Sequence, residues 1–125
     1  MDKYSLIILL TIIQYTLDSS RISCPTIKSK LLLLLFHHLI AIYIYIGGLL
    51  FDPLRHLVFC SIILIHWLHY GRCSYTVMTN DLCNLPHKRP FNDFIHMIKL
   101  NKIHPKIHFL LIIIIISIDI YKLIM

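Results

Sequence analysis

A chain of 125 residues that is 58% apolar and 14% charged, with mean hydropathy +0.76, departs from soluble domains, which run about 45–50% apolar and about 25% charged. Its formal charge of +6 and pI near 9.3 fit the cationic flanks of membrane segments better than a nucleic-acid face, because most lysines and arginines border apolar runs. There is no glutamate, which excludes every motif that needs one, the H-E-x-x-H zinc helix included.

Ala41 is the only alanine, and Ile, Leu, Lys and Tyr are abundant. That bias is the mark of AT-rich coding, as in a large DNA virus or an AT-rich protist. One domain is the natural count at this length.

The first apolar segment, YSLIILLTIIQYTL over residues 4–17, reaches only about 21 Å as a helix, short of a hydrocarbon layer of roughly 30 Å. Lys3, Thr11, Gln14 and Asp18 recur at helical spacing and give it a polar stripe. A cleaved signal peptide, a short span and an interfacial helix are all compatible with the pattern. Charge distribution favours a retained helix.

Residues 31–51, LLLLLFHHLIAIYIYIGGLLF, are long enough to span. Asp52-Pro53 ends the run, because proline disfavours a helical residue before it. His37, His38, Ala41, Tyr45, Gly48 and Asp52 fall within about 100° on a helical wheel. Small residues admit close helix approach and polar ones find partners across an interface, so this stripe is the expected packing face.

A second span over residues 54–70 follows with almost no loop, and the two form an antiparallel hairpin. Its answering face carries His56, Cys60, Ile63, Trp67 and Tyr70. The helix-packing residues expected of the pair are Ala41, Tyr45, Gly48 and Cys60. In this register His37 and His38 come level with His66 and His69. Those four imidazoles are the candidate ligands for haem or a transition metal. The alternative is that they, with Trp67, are amphipathic anchors in the headgroup layer. The pattern requires no cofactor.

The polar connection, residues 71–106, holds a second candidate feature. Phe91, Phe94, Ile95 and Ile98 share one helical face opposite Asn92, Asp93, His96 and Lys99, the pattern of an amphipathic helix in the interface or, equally, of one packed against the spans. The last span, residues 107–125, carries Asp119. An acid inside a membrane segment is a functional candidate by default, here for proton or ion passage. Against that stands local neutralisation by Lys122 and Arg55. At this end of the bundle Asp119 also comes within reach of His56 and Asp52.

Nine of the twelve cations (Arg21, Lys28, Lys30, Arg72, Lys88, Arg89, Lys99, Lys102 and Lys106) lie in loops 18–30 and 71–106. The positive-inside rule places those loops in the cytoplasm. Cys24, Cys73 and Cys83 fall on that side, where thiols stay reduced. With the opposite orientation, a Cys73–Cys83 disulfide becomes plausible. Cys73 or Ser74 with His69 and Asp81 can be forced into a nucleophilic set, but no glycine-rich elbow supports it, and no enzyme is expected.

From about residue 31 to 125 the chain resembles a family of small, mostly bacterial integral membrane proteins known only as a domain of unknown function. The resemblance rests on His37 or His38, Gly47-Gly48, His56-Leu57, Cys73-Ser74-Tyr75-Thr76, the FNDFIHMI segment and the span from Ile107. The family pattern has Cys-Pro-Leu-Thr-x-x-Glu where this chain has Ser74, Tyr75 and, at the acid, Thr79. Residues 1–30 lie outside it. The resemblance implies a fold and no activity.

The expectation is therefore an all-α integral membrane helical bundle. It has three transmembrane helices, a short N-terminal helix and an interfacial helix, with residues 1–30 preceding a membrane domain over 31–125. A structural or interaction role is expected, with the lipid bilayer and a membrane-protein partner or a second copy as partners and no nucleic acid. A haem or metal module and a proton or ion path are the alternatives.

Overall fold

The computed structural model describes residues 1–20, 28–71, 73–86 and 106–125. Among them all regular structure is helical: α1 (Lys3–Ser19), α2 (Lys28–Leu50), α3 (Pro53–Tyr70), α4 (Ser74–Leu82) and α5 (Ile107–Ile124). The interfacial helix expected near residues 91–99 lies outside the described residues.

Each helix starts and stops for local reasons. Asp2 caps α1, its carboxylate accepting from the Tyr4 and Ser5 N–H groups, both at 3.0 Å, which are orphan donors of the first turn. Asp52 does the same for α3, accepting from the Leu54 N–H at 3.2 Å, with Pro53 in the first-turn position where its missing N–H costs nothing. Gly71, at φ 77°, closes α3, its N–H donating to the Trp67 carbonyl. The left-handed cap favours a residue without Cβ.

Among the described residues two helices, α2 over Leu32–Leu50 and α5 over Ile107–Ile124, are long and apolar enough to cross a membrane. This corrects the expectation of three spans. Arg55, His56, His66 and His69 dilute α3, which qualifies only when joined to α4 as one span broken by a 68° bend. The left-handed cap at Gly71 ends α3 ahead of that bend. Helix α4 is polar in sequence, SYTVMTNDL, yet it packs on α2 and buries Thr76, Thr79 and Asn80.

Helix α2 is central. It meets α1 along one side and α3, α4 and α5 along others, and α3 packs extensively on α5. Ile44 of α2, Cys60 of α3 and Ile112 of α5 form the buried core, flanked by Ile40, Tyr45, Phe59 and Trp67. Helix α1 contributes the stripe Ile7, Thr11, Gln14 and Asp18, all buried against α2. Three of those four are polar. Their neighbours Ile8, Leu9, Ile12 and Ile13 are exposed.

The same inversion holds elsewhere. Leu54, Val58, Ile62, Ile65 and Leu68 make an exposed apolar stripe on α3, and Leu110, Ile113, Ile114 and Ile118 do so on α5. Buried in their place are His37, His38, His56 and Asp119. Hydroxyls within the helices turn back on their own backbone: Thr11 donates to the Ile7 carbonyl at 2.7 Å and Ser117 to the Ile113 carbonyl at 2.8 Å. Such back-bonding satisfies a hydroxyl where no water is at hand.

Candidate functional site: two buried histidine–aspartate pairs

The Gly47-Gly48 step of α2 builds the first pair. In a helix each side chain covers the turn before its own Cα, so the carbonyls of Tyr43 and Ile44 lie beneath positions 47 and 48. With no side chains there, the His56 ring reaches the backbone. Its Nε2–H donates to the Tyr43 carbonyl at 2.9 Å and to the Ile44 carbonyl at 3.1 Å. A Cβ on Gly47 would stand 2.8 Å from His56 Cδ2, and one on Gly48 would stand 2.5 Å from Asp119 Oδ1 and 2.7 Å from His56 Nδ1. A methyl at either position would crowd the His56 ring, so the absence of side chains there is what admits it.

Carbonyls only accept, so the Nε2 proton of His56 is fixed. The other ring nitrogen, Nδ1, lies 2.6 Å from Asp119 Oδ2. One proton is shared across that contact, either on Nδ1 or on the carboxyl, and the pair is neutral overall in both arrangements. That neutrality is what lets two ionisable groups sit buried at 0% and 1% exposure. Cys60, one turn along α3, places Sγ 3.5 Å from Nε2 and 3.9 Å from Nδ1. Tyr43 packs edge-on against His56 at 5.2 Å between ring centroids.

The second pair joins α1 to α2. His38 Nε2 lies 2.9 Å from Asp18 Oδ2, and the Gln14 amide donates to Nδ1 at 2.8 Å. Gln14 and Asp18 are four apart, hence on one face, and the ring is wholly buried between them. Tyr15 packs edge-on to it.

The four histidines expected to share a site have separate partners. His38 faces α1. His37 Nε2 is 3.6 Å from Cys73 Sγ, and His66 Nε2 is hydrogen-bonded by the Ser74 hydroxyl, so these two hold the start of α4. His69 is exposed and packs against Tyr70. The expected ion pairing around Asp119 is also redistributed. Asp119 pairs with His56, not Arg55. Arg55 reaches Asp52 at 3.7 Å on the surface, and Lys122 donates to the Gly48 carbonyl at 2.6 Å, one of the orphan acceptors at the end of α2.

Of the expected packing residues, Ala41 and Cys60 are buried, Gly48 receives Asp119 and His56, and the Tyr45 hydroxyl meets His108 Nδ1 at 2.7 Å. Among the described residues, one group of three or more metal-capable side chains brings its ligand atoms within 4.8 Å of one another: His56, Cys60 and Asp119. Sequence reasoning had placed His56 and Asp119 at the same end of the bundle and Cys60 on the packing face. It lacked the glycine step that draws them together.

No family model, curated protein or solved structure matches the chain.

Cys83 is disulfide-bonded, whereas Cys60 and Cys73 are free. A Cys73–Cys83 bridge is excluded by α4. These residues cap its two ends, about 15 Å apart at 1.5 Å per residue, and a disulfide needs Cα atoms within about 7 Å.

Proposed function

We propose that this chain is a multi-pass integral membrane protein with a structural or interaction role, its polar side chains consumed in holding its own helices together. The observation that carries this reading is the inverted polarity. Gln14, Asp18, His38, His56 and Asp119 are buried, while Ile and Leu cover the outer faces of α1, α3 and α5. In lipid an unsatisfied polar group is costly and apolar surface is free. The bilayer is its first partner, and a second copy or another membrane protein is the further partner class; nothing in the pattern suits nucleic acid.

For sidedness, the nine-cation end, with loops 18–30 and 71–106, is assigned to the cytoplasm. The Cys83 disulfide runs against that assignment, since disulfides belong to oxidising compartments. Two measurements test the proposal. Alkaline carbonate should leave the protein in the membrane pellet, and release as a monodisperse soluble species would end the membrane reading. Cys73, half-buried and free, should react with an impermeant maleimide only after permeabilisation. Labelling of intact cells would reverse the orientation.

A further inference from the structure

We propose that His56, Cys60 and Asp119 form an intramembrane binding site for a divalent transition-metal ion of the zinc class. His56 and Cys60 are four apart on α3 and present their donors to the same side. Asp119 closes the set from α5. All three are buried, and their ligand atoms lie within 4.8 Å of one another.

The spacing suits a tetrahedral ion. Metal–ligand bonds of about 2.0–2.3 Å put neighbouring donors roughly 3.3–3.8 Å apart. Cys60 Sγ already stands 3.9 Å from His56 Nδ1. The 2.6 Å contact between Nδ1 and Asp119 has to open by less than about 1 Å, a small side-chain rotation. The ring is also held as a ligating histidine is held. Its far N–H donates to backbone carbonyls of Tyr43 and Ile44, which fixes the tautomer and aims Nδ1 at the site.

Charge selects the ion. The histidine–aspartate pair carries one shared proton and is neutral, and the Cys60 thiol is neutral. A divalent ion that displaces both protons leaves M²⁺ with one thiolate, one carboxylate and one neutral imidazole, again neutral overall. A buried site in a membrane segment tolerates that exchange, whereas an uncompensated charge there is heavily penalised. Thiolate and imidazole favour zinc-class ions over calcium or magnesium, which take oxygen donors. Three protein ligands leave a fourth tetrahedral position.

The His38 pair offers no such site, since an amide stands where the thiol would be. The test uses the full-length protein in detergent, titrated with cobalt(II) and then challenged with zinc. One equivalent of cobalt should give tetrahedral visible bands and a thiolate charge-transfer band in the near ultraviolet, both abolished by zinc. Cys60→Ser should remove the charge-transfer band, and Asp119→Asn should weaken binding at least tenfold, with helicity unchanged by circular dichroism. Cys73→Ser should alter neither. As a readout that needs no variant at the site, zinc should protect Cys60 from alkylation in the Cys73→Ser protein. Absence of the bands at saturating cobalt, or bands that survive Cys60→Ser and vanish in Cys73→Ser, would overturn the proposal.

Discussion

The two buried histidine–aspartate pairs meet α2 at different levels, His38 near its middle and the His56 pair at its C-terminal Gly47-Gly48 step, and differ in what surrounds the imidazole. His38 is held between two residues of one helix, Gln14 and Asp18, and ties α1 to α2. His56 is held by three helices at once: carbonyls of α2, Cys60 of its own helix and Asp119 of α5. The first is a two-helix clasp. The second is a junction, and it exists because two glycines expose backbone that a side chain would have covered.

The difference predicts unequal costs. Asp119→Ala leaves a buried imidazole whose proton has no carboxylate to share, and should destabilise the fold by about 3 kcal/mol or more in reversible detergent unfolding. If it costs less than Asp18→Ala, the ranking of the two pairs is wrong. Gly48→Ala should come next, at about 1–3 kcal/mol, because its Cβ would stand 2.5 Å from Asp119 Oδ1 and 2.7 Å from His56 Nδ1. Both are tethered atoms within the pair, so neither can simply swing away.

Gln14→Leu keeps the volume and removes one inter-helix hydrogen bond, which in membrane proteins averages about 0.6 kcal/mol. The loss should be confined to α1 docking, read as faster proteolysis or hydrogen exchange in residues 3–19. His69→Ala touches the exposed mouth of α3 and should fall within about 0.5 kcal/mol of the parent. A larger effect would bring His69 back into a functional site.

The smallest effect belongs to the start of α1. The Ser5 hydroxyl, with the N–H groups of Ser5 and Tyr4, holds the Asp2 carboxyl below its ordinary value. A depressed folded value means that the cap's contribution is complete above the unfolded carboxylate range. It is lost as pH falls through the folded value. Fraying of residues 2–5 should therefore be unchanged from neutral pH to about pH 5 and increase below about pH 4. Fraying that begins near neutrality would point to another group.

These contrasts also mark what was legible in the sequence. The stripe Thr11, Gln14 and Asp18 is local to one helix, so its 3.6-residue spacing is readable without a partner, and it is buried against α2. The apolar character of α2 and α5 was equally plain. Helix α3 was over-read, since four basic or imidazole side chains outweigh its isoleucines. Helix α4 was missed because a nine-residue polar helix has little periodicity. On the stripe expected to pack, Ala41 is buried, Gly48 lies against Asp119 and His56, and the Tyr45 hydroxyl meets His108. The shared depth of His37, His38, His66 and His69 was not enough to make them meet. Depth follows from a 1.5 Å rise, but direction depends on rotation about each axis, and His38 turns toward α1 while His66 turns toward α4. Asp119 was matched to Arg55 by charge, yet Arg55 is exposed beside Asp52, and the glycine step hands the carboxylate to His56.

The most direct test of the junction is a double-mutant cycle on its two members, His56→Gln and Asp119→Asn, each alone and together, by reversible unfolding in detergent. A direct pair should return a coupling of about 1–2 kcal/mol, the double variant losing clearly less than the two single losses combined. Additivity within about 0.3 kcal/mol would mean that the two residues act independently, and the junction of α2, α3 and α5 described above would not hold.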